Sequence, residues 1–578
     1  MFRILNNYFA GTRTRLAGKQ ALFVLSILGI VSGVAVGLVV SLFRYLIELP
    51  QTLFFPDGIV DNYEALSWQI RLLLVSGGGL LLGLMFYLIS HMPMRVGVIH
   101  VLERLTYNEG YLPFKNVVMQ FVGGVIAIVS GQSVGKEGPS VHLGAATSSL
   151  LGQYLYLPNN SIRTLVGCGS AAAIAAAFNT PLAGVIFAME VILMEYTIAG
   201  FAPIILAAVS ATVVSQLLYE NEFVFDVQMI NLQSLMELPL IIVMGIVIGG
   251  IAAIFIKCCR FCSAKGQNIH ICLRMTLAGV LVGIIALVSP EIMGIGYDTV
   301  NLVLIGQIGI ASLMIILLAK LIATSICIGF NIPGGLIGPS LFMGAMVGGL
   351  LAQSLNLAGL PHSGVALYAL LGMGAMMSAT LNAPLASLLA LLELTGNHNI
   401  IFPAMLAVVS ANLAAQELFK SQSIFLSQFQ ALGLDYRNDP VSQHLRRIGL
   451  QAVINPSFVI SVAEIDRNVA KKLLLDNPDW VLIKRNEELS HVLLPATDLA
   501  RFLDNDESEQ INLMDIPAKR RELASVSIES TLQHVQQLMN QEGVEALYAI
   551  TRLGRSADRI NGVITAEDVE KQYRFTGI

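Results

Sequence analysis

The stretch VSGQSVGKEGPSVHLGAATSS, residues 129–149, places the charged pair Lys136 and Glu137 among residues that are otherwise mostly small or apolar. Glycines interrupt the chain around the pair, and Pro139 follows two residues later. Proline is favoured in the first turn of a helix, where its missing N–H costs nothing. The motif therefore predicts that a helix begins at the charged pair.

The composition of the whole chain is that of a membrane protein. Of its 578 residues, 55% are hydrophobic and 13% are charged, against roughly 25% charged in an ordinary soluble domain. We expect a lipid bilayer around the protein and no nucleic acid partner. Runs of about 20 apolar residues, enough to cross a membrane, lie near 21–47, 69–90, 116–134, 200–218, 237–256, 272–289, 310–330 and 399–416.

Shorter apolar runs lie between the long ones, and they cannot all cross a membrane. Partial or tilted helices are tolerated at membrane depth where broken backbone is buried in protein or lines a cavity. This pattern favours a transport pathway over a simple anchor. The shorter runs lie near 140–155, 163–178, 181–194, 339–356, 363–380 and 384–394.

Basic residues precede the first apolar run, which is too long for a signal peptide. Loops rich in Lys and Arg tend to stay in the cytoplasm. The sequence therefore predicts a multi-pass protein of the cytoplasmic (inner) membrane, with both termini in the cytoplasm. The basic residues are Arg3, Arg13, Arg15 and Lys19.

The long apolar runs end near residue 435. After it, charged helical patterns alternate with short β-rich runs such as WVLI and LYAI. We predict a membrane domain over 1–435 and a soluble α+β region over 440–578.

Two motifs of the first half recur, in order and at similar spacing, in the second. FNTPLAGVIFAMEV, which contains Glu190, matches LNAPLASLLALLEL, which contains Glu393, and both halves carry a Gly-Pro-Ser triplet. The membrane domain is predicted to be a mainly α-helical two-fold repeat, over about 20–220 and 235–430. Transporters built from repeats with interrupted helices bind their substrate near the membrane midplane.

The second Gly-Pro-Ser triplet lies in PGGLIGPS, residues 333–340, which also predicts a helix start. A helix start exposes unpaired N–H groups and about half a positive charge. Two such starts that converge would bind an anion without a cationic side chain. The candidate anion-binding residues are Gly135, Lys136 and Gly138 in the first motif and Gly335, Leu336, Ile337 and Gly338 in the second.

Glu137 is predicted to be the gate of this site. A carboxylate there competes with the anion for the same N–H groups, and protonation would release it. Ionisable groups at membrane depth are costly and usually functional. An ion pair with Lys136 is the alternative, but adjacent residues at a helix start point in different directions.

The motifs resemble those of the CLC chloride channels and chloride/proton exchangers: GKEGP matches one family signature, GGLIGP is similar to another, and AFNTPLAGVIFAMEV resembles the stretch that follows the first. The resemblance implies a homodimer with one anion path per subunit, built from two inverted helical repeats. It also implies that the C-terminal region is a pair of CBS domains.

Two departures from the family concern the anion. Aligning the family's first anion-binding motif on Gly97 puts Val96 in place of the coordinating serine, and Phe425 stands where a tyrosine hydroxyl is expected. A hydrogen bond to a charged partner contributes roughly 1.5 to 3 kcal/mol. We therefore expect anion binding that is weaker or less discriminating than is typical of the family.

A third departure concerns protons. The resemblance places Val191 where exchangers of the family often carry a proton-loading glutamate, one position after Glu190. Glu190 could lie on a proton path, but we favour a structural role in which its carboxylate is bound by backbone amides. Glu393 stands at the matching position of the second repeat.

The predicted function is transport of chloride or a similar small anion, in exchange for protons carried by Glu137. A passive, pH-gated anion channel is the alternative. An integral-membrane enzyme is not expected, because His91, His100 and His142 show no ligand spacing, and Cys259-x-x-Cys262 lacks a second pair to complete a metal site.

The C-terminal region contains two related patterns, which end in HVLLPATDLARFL and NGVITAEDVEKQY. In CBS domains such segments can hold the ribose and phosphate of an adenine nucleotide. Only the second copy is complete, with Thr565 and Asp568, because Pro495 replaces the hydroxyl of the first. We favour a dimerisation module without a cofactor; nucleotide binding, or a membrane-tethered nucleotide sensor, is the alternative.

Overall fold

The computed structural model describes residues 22–89, 95–196, 198–219, 225, 231–434, 440–484, 491–551 and 559–574. By their contacts, the described residues form two compact units. One consists of residues 22–155 and 162–434, and the other of the residues from 440 onward together with Tyr156–Ser161.

Over its described residues, the first unit is built of helices and contains no β-strand, apart from one isolated bridge between Gly135 and Gly335. Nine of the helices described are long and apolar enough to cross a membrane. In chain order the helices are α1 Leu22–Phe54, α2 Trp68–Ile89, α3 Gly97–Tyr107, α4 Phe114–Val129, α5 Glu137–Tyr154, α6 Asn159–Phe178, α7 Pro181–Phe187, α8 Ile198–Leu218, α9 Leu238–Gly266, α10 Ile271–Val288, α11 Tyr297–Leu304, α12 Ile310–Gly329, α13 Ile337–Leu357, α14 Val365–Leu381, α15 Pro384–Thr395, α16 Ile401–Leu413 and α17 Ile424–Ala431.

Both predicted helix starts are confirmed, since α5 and α13 each begin two residues before their proline. Some predicted lengths were wrong. The run near 116–134 gives the 16-residue helix α4, which ends at Val129 because Gly131 turns the chain with φ of 75°. Conversely, α6 and α13 have 20 and 21 residues, long enough to span, although their apolar runs are shorter.

The first unit contains two inverted helical repeats, α1–α8 and α9–α16. The counterparts α2 and α10 pack closely, so that a Cβ at Gly79 would lie 3.1 Å from the Cα of Gly279. Asn179 and Asn382 follow counterpart helices and adopt the same left-handed conformation, with φ of 60° and 58°. The repeated motifs thus mark repeated structure.

The C-terminal unit is α+β and contains two copies of one arrangement. A six-stranded sheet has the order β1-β3-β4-β6-β7-β8, in which β1 pairs with β3, and β6 with β7, in parallel. Each parallel pair is followed by an antiparallel strand, β4 or β8. This two-copy organisation is consistent with a CBS pair. The strands are β1 Phe458–Val462, β2 Glu464–Asp466, β3 Trp480–Lys484, β4 His491–Pro495, β5 Gln510–Asn512, β6 Arg521–Ser527, β7 Ala546–Thr551 and β8 Arg559–Thr565, and the helices are α18 Pro440–Arg446, α19 Arg467–Leu473, α20 Ala496–Asn505, α21 Leu532–Glu542 and α22 Ala566–Arg574.

Candidate anion site

Four helices begin at one cavity of about 70 Å³. They are α3, α5, α13 and α17, and residues of the first turn of each line the cavity. The N-terminus of a helix carries about half a positive charge. Four such ends around one small cavity create an environment that favours an anion.

Three of these helix starts have no side chain that caps them. The residues that precede the first turns of α3, α5 and α13 are Val96, Lys136 and Leu336, and none accepts a hydrogen bond from its helix. A capping side chain would satisfy one of the first N–H groups of the helix. Without one, the backbone donors stay available to a bound anion.

A two-stranded bridge joins the two glycine-rich motifs. The N–H of Gly135 donates to the carbonyl of Gly335 at 2.9 Å, and the N–H of Gly335 donates to the carbonyl of Gly135 at 2.7 Å. The two residues pair in antiparallel fashion. The bridge therefore fixes the starts of α5 and α13 against one another, one from each repeat.

The carboxylate of Glu137 lies between these two helix starts. It is fully buried. A Cβ at Gly335 would lie 2.6 Å from its Oε2 atom, and one at Gly338 would lie 3.0 Å from its Oε1 atom. The carboxylate thus fills the space beside the backbone of the two helix starts, where an anion would otherwise bind.

A second cavity, of about 500 Å³, approaches Glu137 through other elements. It is lined by residues of α1, α6 and α8, by Lys136 and by Tyr297. The Tyr297 hydroxyl donates to Glu137 Oε1 at 3.4 Å, and Glu137 itself lines the small cavity. Glu137 at the small cavity and Lys136 at the large cavity are therefore adjacent in the sequence.

Lys136 and Glu137 face different surroundings, as expected for adjacent residues at a helix start. Lys136 lines the large cavity, and its Nζ lies 5.9 Å from the centre of the Phe178 ring. Among the ion pairs recorded for the described residues, none joins Lys136 to Glu137.

Most of the predicted site residues come together around the small cavity. The apolar Val96 and Phe425 line it, so their positions add no hydroxyl donor. Gln428, one turn after Phe425 on α17, also lines it and was not predicted. Its spacing from Phe425 places both on one face of the helix. The predicted residues that line the cavity are Val96, Gly97, Glu137, Gly138, Gly335, Leu336, Ile337 and Phe425.

Glu190 and Val191 lie away from both cavities, in the π-helical turn Ala188–Leu193. The Glu190 carboxylate accepts from the N–H groups of Leu385 at 3.4 Å and Ala386 at 2.8 Å, at the start of α15. Val191 is buried. These contacts fit a structural carboxylate.

Two polar side chains near the site were missed by sequence reasoning. Tyr297 reaches Glu137 from 160 positions further along the chain, and nothing local in the sequence marks it. Lys320 was detectable, because it is a lone charge in an apolar run and charges at membrane depth are usually functional. It is fully buried.

Among the described residues, no group of three or more His, Cys, Asp or Glu side chains is arranged to hold a metal ion. His100 and His142 are hydrogen-bonded to each other at 2.7 Å. His91 lies outside the described residues. In the C-terminal unit, Asp568 accepts from the Thr565 hydroxyl at 2.7 Å.

The model of the voltage-gated chloride channel family matches residues 78–416. The chain belongs to this family. It is 31% identical over 373 residues to a ClcB-like chloride channel protein of Ralstonia nicotianae. This alignment covers 62% of this chain and 85% of the relative. The voltage-gated ClC-type chloride channel ClcB of Escherichia coli is 28% identical over 401 residues, 68% of this chain and 95% of the relative.

Solved structures of the family share the fold. A slow cyanobacterial Cl⁻/H⁺ antiporter aligns with a TM-score of 0.61 and 21% identity, over 71% of this chain and 98% of the antiporter. A CLC-type fluoride/proton antiporter gives 0.58 and 22%, over 70% and 98%. A eukaryotic CLC transporter gives 0.59 and 18%, and its alignment extends over 95% of this chain and 98% of the transporter.

Proposed function

We propose that the protein exchanges chloride, or a similar small anion, for protons across the cytoplasmic membrane, with Glu137 as both gate and proton carrier. The observation that carries this proposal is the position of the Glu137 carboxylate, which is buried between the starts of α5 and α13 and lies against Gly335 and Gly338 of the second repeat. An anion that binds the N–H groups of these helix starts must displace the carboxylate.

The chemistry of the site accounts for exchange. A displaced carboxylate that reaches the large cavity can take up a proton there, and the neutral acid returns without competing for the N–H groups. Relatives named as chloride channels and similar structures titled as antiporters fit either mode of transport. Exchange is favoured because one residue supplies both the competition and the proton.

Several features of the assembly are part of the same proposal. We infer a homodimer with one anion path per subunit, both termini in the cytoplasm, and no enzymatic activity. For the C-terminal unit we infer a dimerisation role without a bound nucleotide. The carboxylate of Asp568, the candidate nucleotide ligand, already accepts hydrogen bonds from Thr565 and, at 3.1 Å, from Lys571. A rise in melting temperature with ATP that the change Asp568→Ala removes would favour nucleotide binding instead.

The test of exchange uses purified protein in liposomes under a steep chloride gradient, with chloride and protons followed together. We expect chloride movement to drive protons uphill and a proton ionophore to collapse the proton gradient. Chloride movement with no proton signal would establish the passive channel and end the exchange proposal. Protein-free liposomes give the leak of both ions.

A further inference from the structure

The segment Ile292–Tyr297, which leads into α11, is anchored by a buried lysine. Lys320 of α12 donates from Nζ to the carbonyls of Ile292 and Gly294, each at 3.0 Å, and of Ile295 at 3.4 Å. These bonds fix the carbonyl side of the segment. We call Ile292–Tyr297 the Tyr297 segment.

Asp61 holds the amide side of the same segment. It lies in the connection between α1 and α2, and its two carboxylate oxygens accept from the N–H groups of Ile295 at 3.3 Å and Gly296 at 2.7 Å. Gly294 and Gly296 have φ of 56° and 83°, so the segment turns sharply after the short 3₁₀ helix that ends at Ile292. The Gly294 N–H also donates to the Gly131 carbonyl at 3.3 Å, but the N–H groups of Ile295 and Gly296, next to Tyr297, are held by Asp61.

The Tyr297 segment ends at the gate. The Tyr297 hydroxyl donates to Glu137 Oε1 at 3.4 Å, a long distance for an O–H···O bond. The Tyr297 ring packs edge-on against Phe225, with 5.4 Å between ring centres. A contact this long is sensitive to small shifts of the backbone that carries it.

We propose that Asp61 is a positioning residue for the gate: ionised, it holds the Tyr297 segment so that Tyr297 donates to Glu137, and protonated, it releases this latch. This inference rests on the proposed function of Glu137. It adds a second titrating group that acts on the gate without contacting the anion.

Protons can reach Asp61 from the large cavity, because Asp61 and Asp298 both line it. The carboxyl group of Glu64 lies near that of Asp298. The titratable and charged groups around Asp61 are Asp298 and Tyr297 of α11, Lys320 of α12, Tyr63 and Glu64 of its own connection, Arg44 and Glu48 of α1, and Lys136 before α5.

Asp61 titrates in a range where the latch can respond to pH. Burial, and then the nearby Asp298 carboxyl, raise the pKa of Asp61 to about 7, against the opposing effects of the Gly296 N–H and the Lys320 charge. The protonated fraction of Asp61 therefore rises as the pH falls through about 7. Since a neutral carboxyl is a weaker acceptor of the Gly296 N–H, the latch loosens as the pH falls.

The experiment measures chloride efflux from liposomes at equal pH on both sides, from about pH 5 to about 8.5, a range that brackets the raised pKa of Asp61. The variants are Asp61→Asn, which mimics the protonated acid, and Tyr297→Phe, which keeps the ring on Phe225. Each is made alone, with the other, and with Glu137→Ala. Glu48→Gln is the matched control, because Glu48 lines the same cavity but pairs with Arg44.

We expect both single variants to raise efflux at pH 8 about three- to tenfold, the factor for one weak hydrogen bond. The double variant should equal either single one, and neither change should affect Glu137→Ala. Glu48→Gln should behave as wild type. Melting temperatures show whether each variant is folded, and Tyr297→Phe carries the test if Asp61→Asn does not fold.

Three results would overturn the latch: wild-type efflux at pH 8 in both single variants, effects that multiply in the double variant, or equal effects in the Glu137→Ala background. Failure of the proposed function looks different. If Glu137→Ala keeps the full pH dependence of the wild type, the gate assignment falls, and the latch falls with it.

Discussion

Glycines at the anion site leave room for the Glu137 carboxylate. A Cβ at Gly335 would lie 2.6 Å from the carboxylate, and one at Gly135 would also collide with it. The same glycines bring their backbones close enough to bridge the two repeats. In the proposed function, anion binding at this site would therefore depend on backbone donors, because the side chains of Val96 and Phe425 add none.

Replacing Val96 with serine should tighten chloride binding. A hydroxyl that donates to an anion contributes about 1.5 to 3 kcal/mol, so we expect the Kd to fall at least about tenfold. Isothermal titration of the detergent-solubilised protein with chloride measures the change. Val96→Ala is the control, because it removes the same methyl groups without adding a hydroxyl. Equal affinities of the two variants would contradict the prediction.

At the scale of residues, the sequence predicts those site residues that stand together in one short motif. Glu137 and its glycines stand in short motifs whose chemistry is readable by itself. Tyr297 and Asp61 are different, because their roles arise from contacts between distant segments that no local pattern marks. Lys320 lies between these cases: its charge was visible, but its three carbonyl partners were not.

At the scale of elements, each repeat caps a helix of the other. Glu190 accepts from the first turn of α15, and Glu393 accepts from Leu182 at 2.9 Å and Ala183 at 2.8 Å in the first turn of α7. Carboxylates at helix starts accept hydrogen bonds from free N–H groups and interact favourably with the positive end of the helix dipole. This reciprocal capping joins the two halves.

Glu190→Gln and Glu393→Gln should each destabilise the protein by about 1 kcal/mol, the usual contribution of a helix cap. Melting temperature in detergent measures the loss. Glu417→Gln is the control, because the Glu417–Lys420 pair is largely exposed and such pairs contribute roughly 0 to 1 kcal/mol. Glu190→Gln should leave proton movement intact. Loss of proton coupling at an unchanged melting temperature would place Glu190 on the proton path instead.

Helix starts were more predictable than helix ends. Proline marks the first turns of α5 and α13 directly. By contrast, α4 ends inside an apolar run, where the left-handed Gly131 turns the chain although hydrophobicity continues. An apolar run records burial in protein or lipid, and it does not record where the backbone stops being helical.

At the scale of the whole molecule, the candidate anion site lies where the repeats meet. The first repeat supplies the starts of α3 and α5, the second supplies α13, and α17 follows the second. The repeated motifs predicted two halves, and the two glycine-rich motifs predicted an anion site between them. The sizes of the two cavities, and the position of the Glu137 carboxylate at the small one, could not be predicted from the sequence because they depend on three-dimensional packing.

The central claim is that one carboxylate both blocks the anion and carries the proton. It is tested most directly by chloride and proton flux in liposomes containing the Glu137→Ala variant, measured beside the wild type across a range of pH. We predict that chloride flux persists in the variant, that proton movement disappears, and that chloride flux no longer depends on pH. Proton movement or pH dependence that survives the change would contradict the claim.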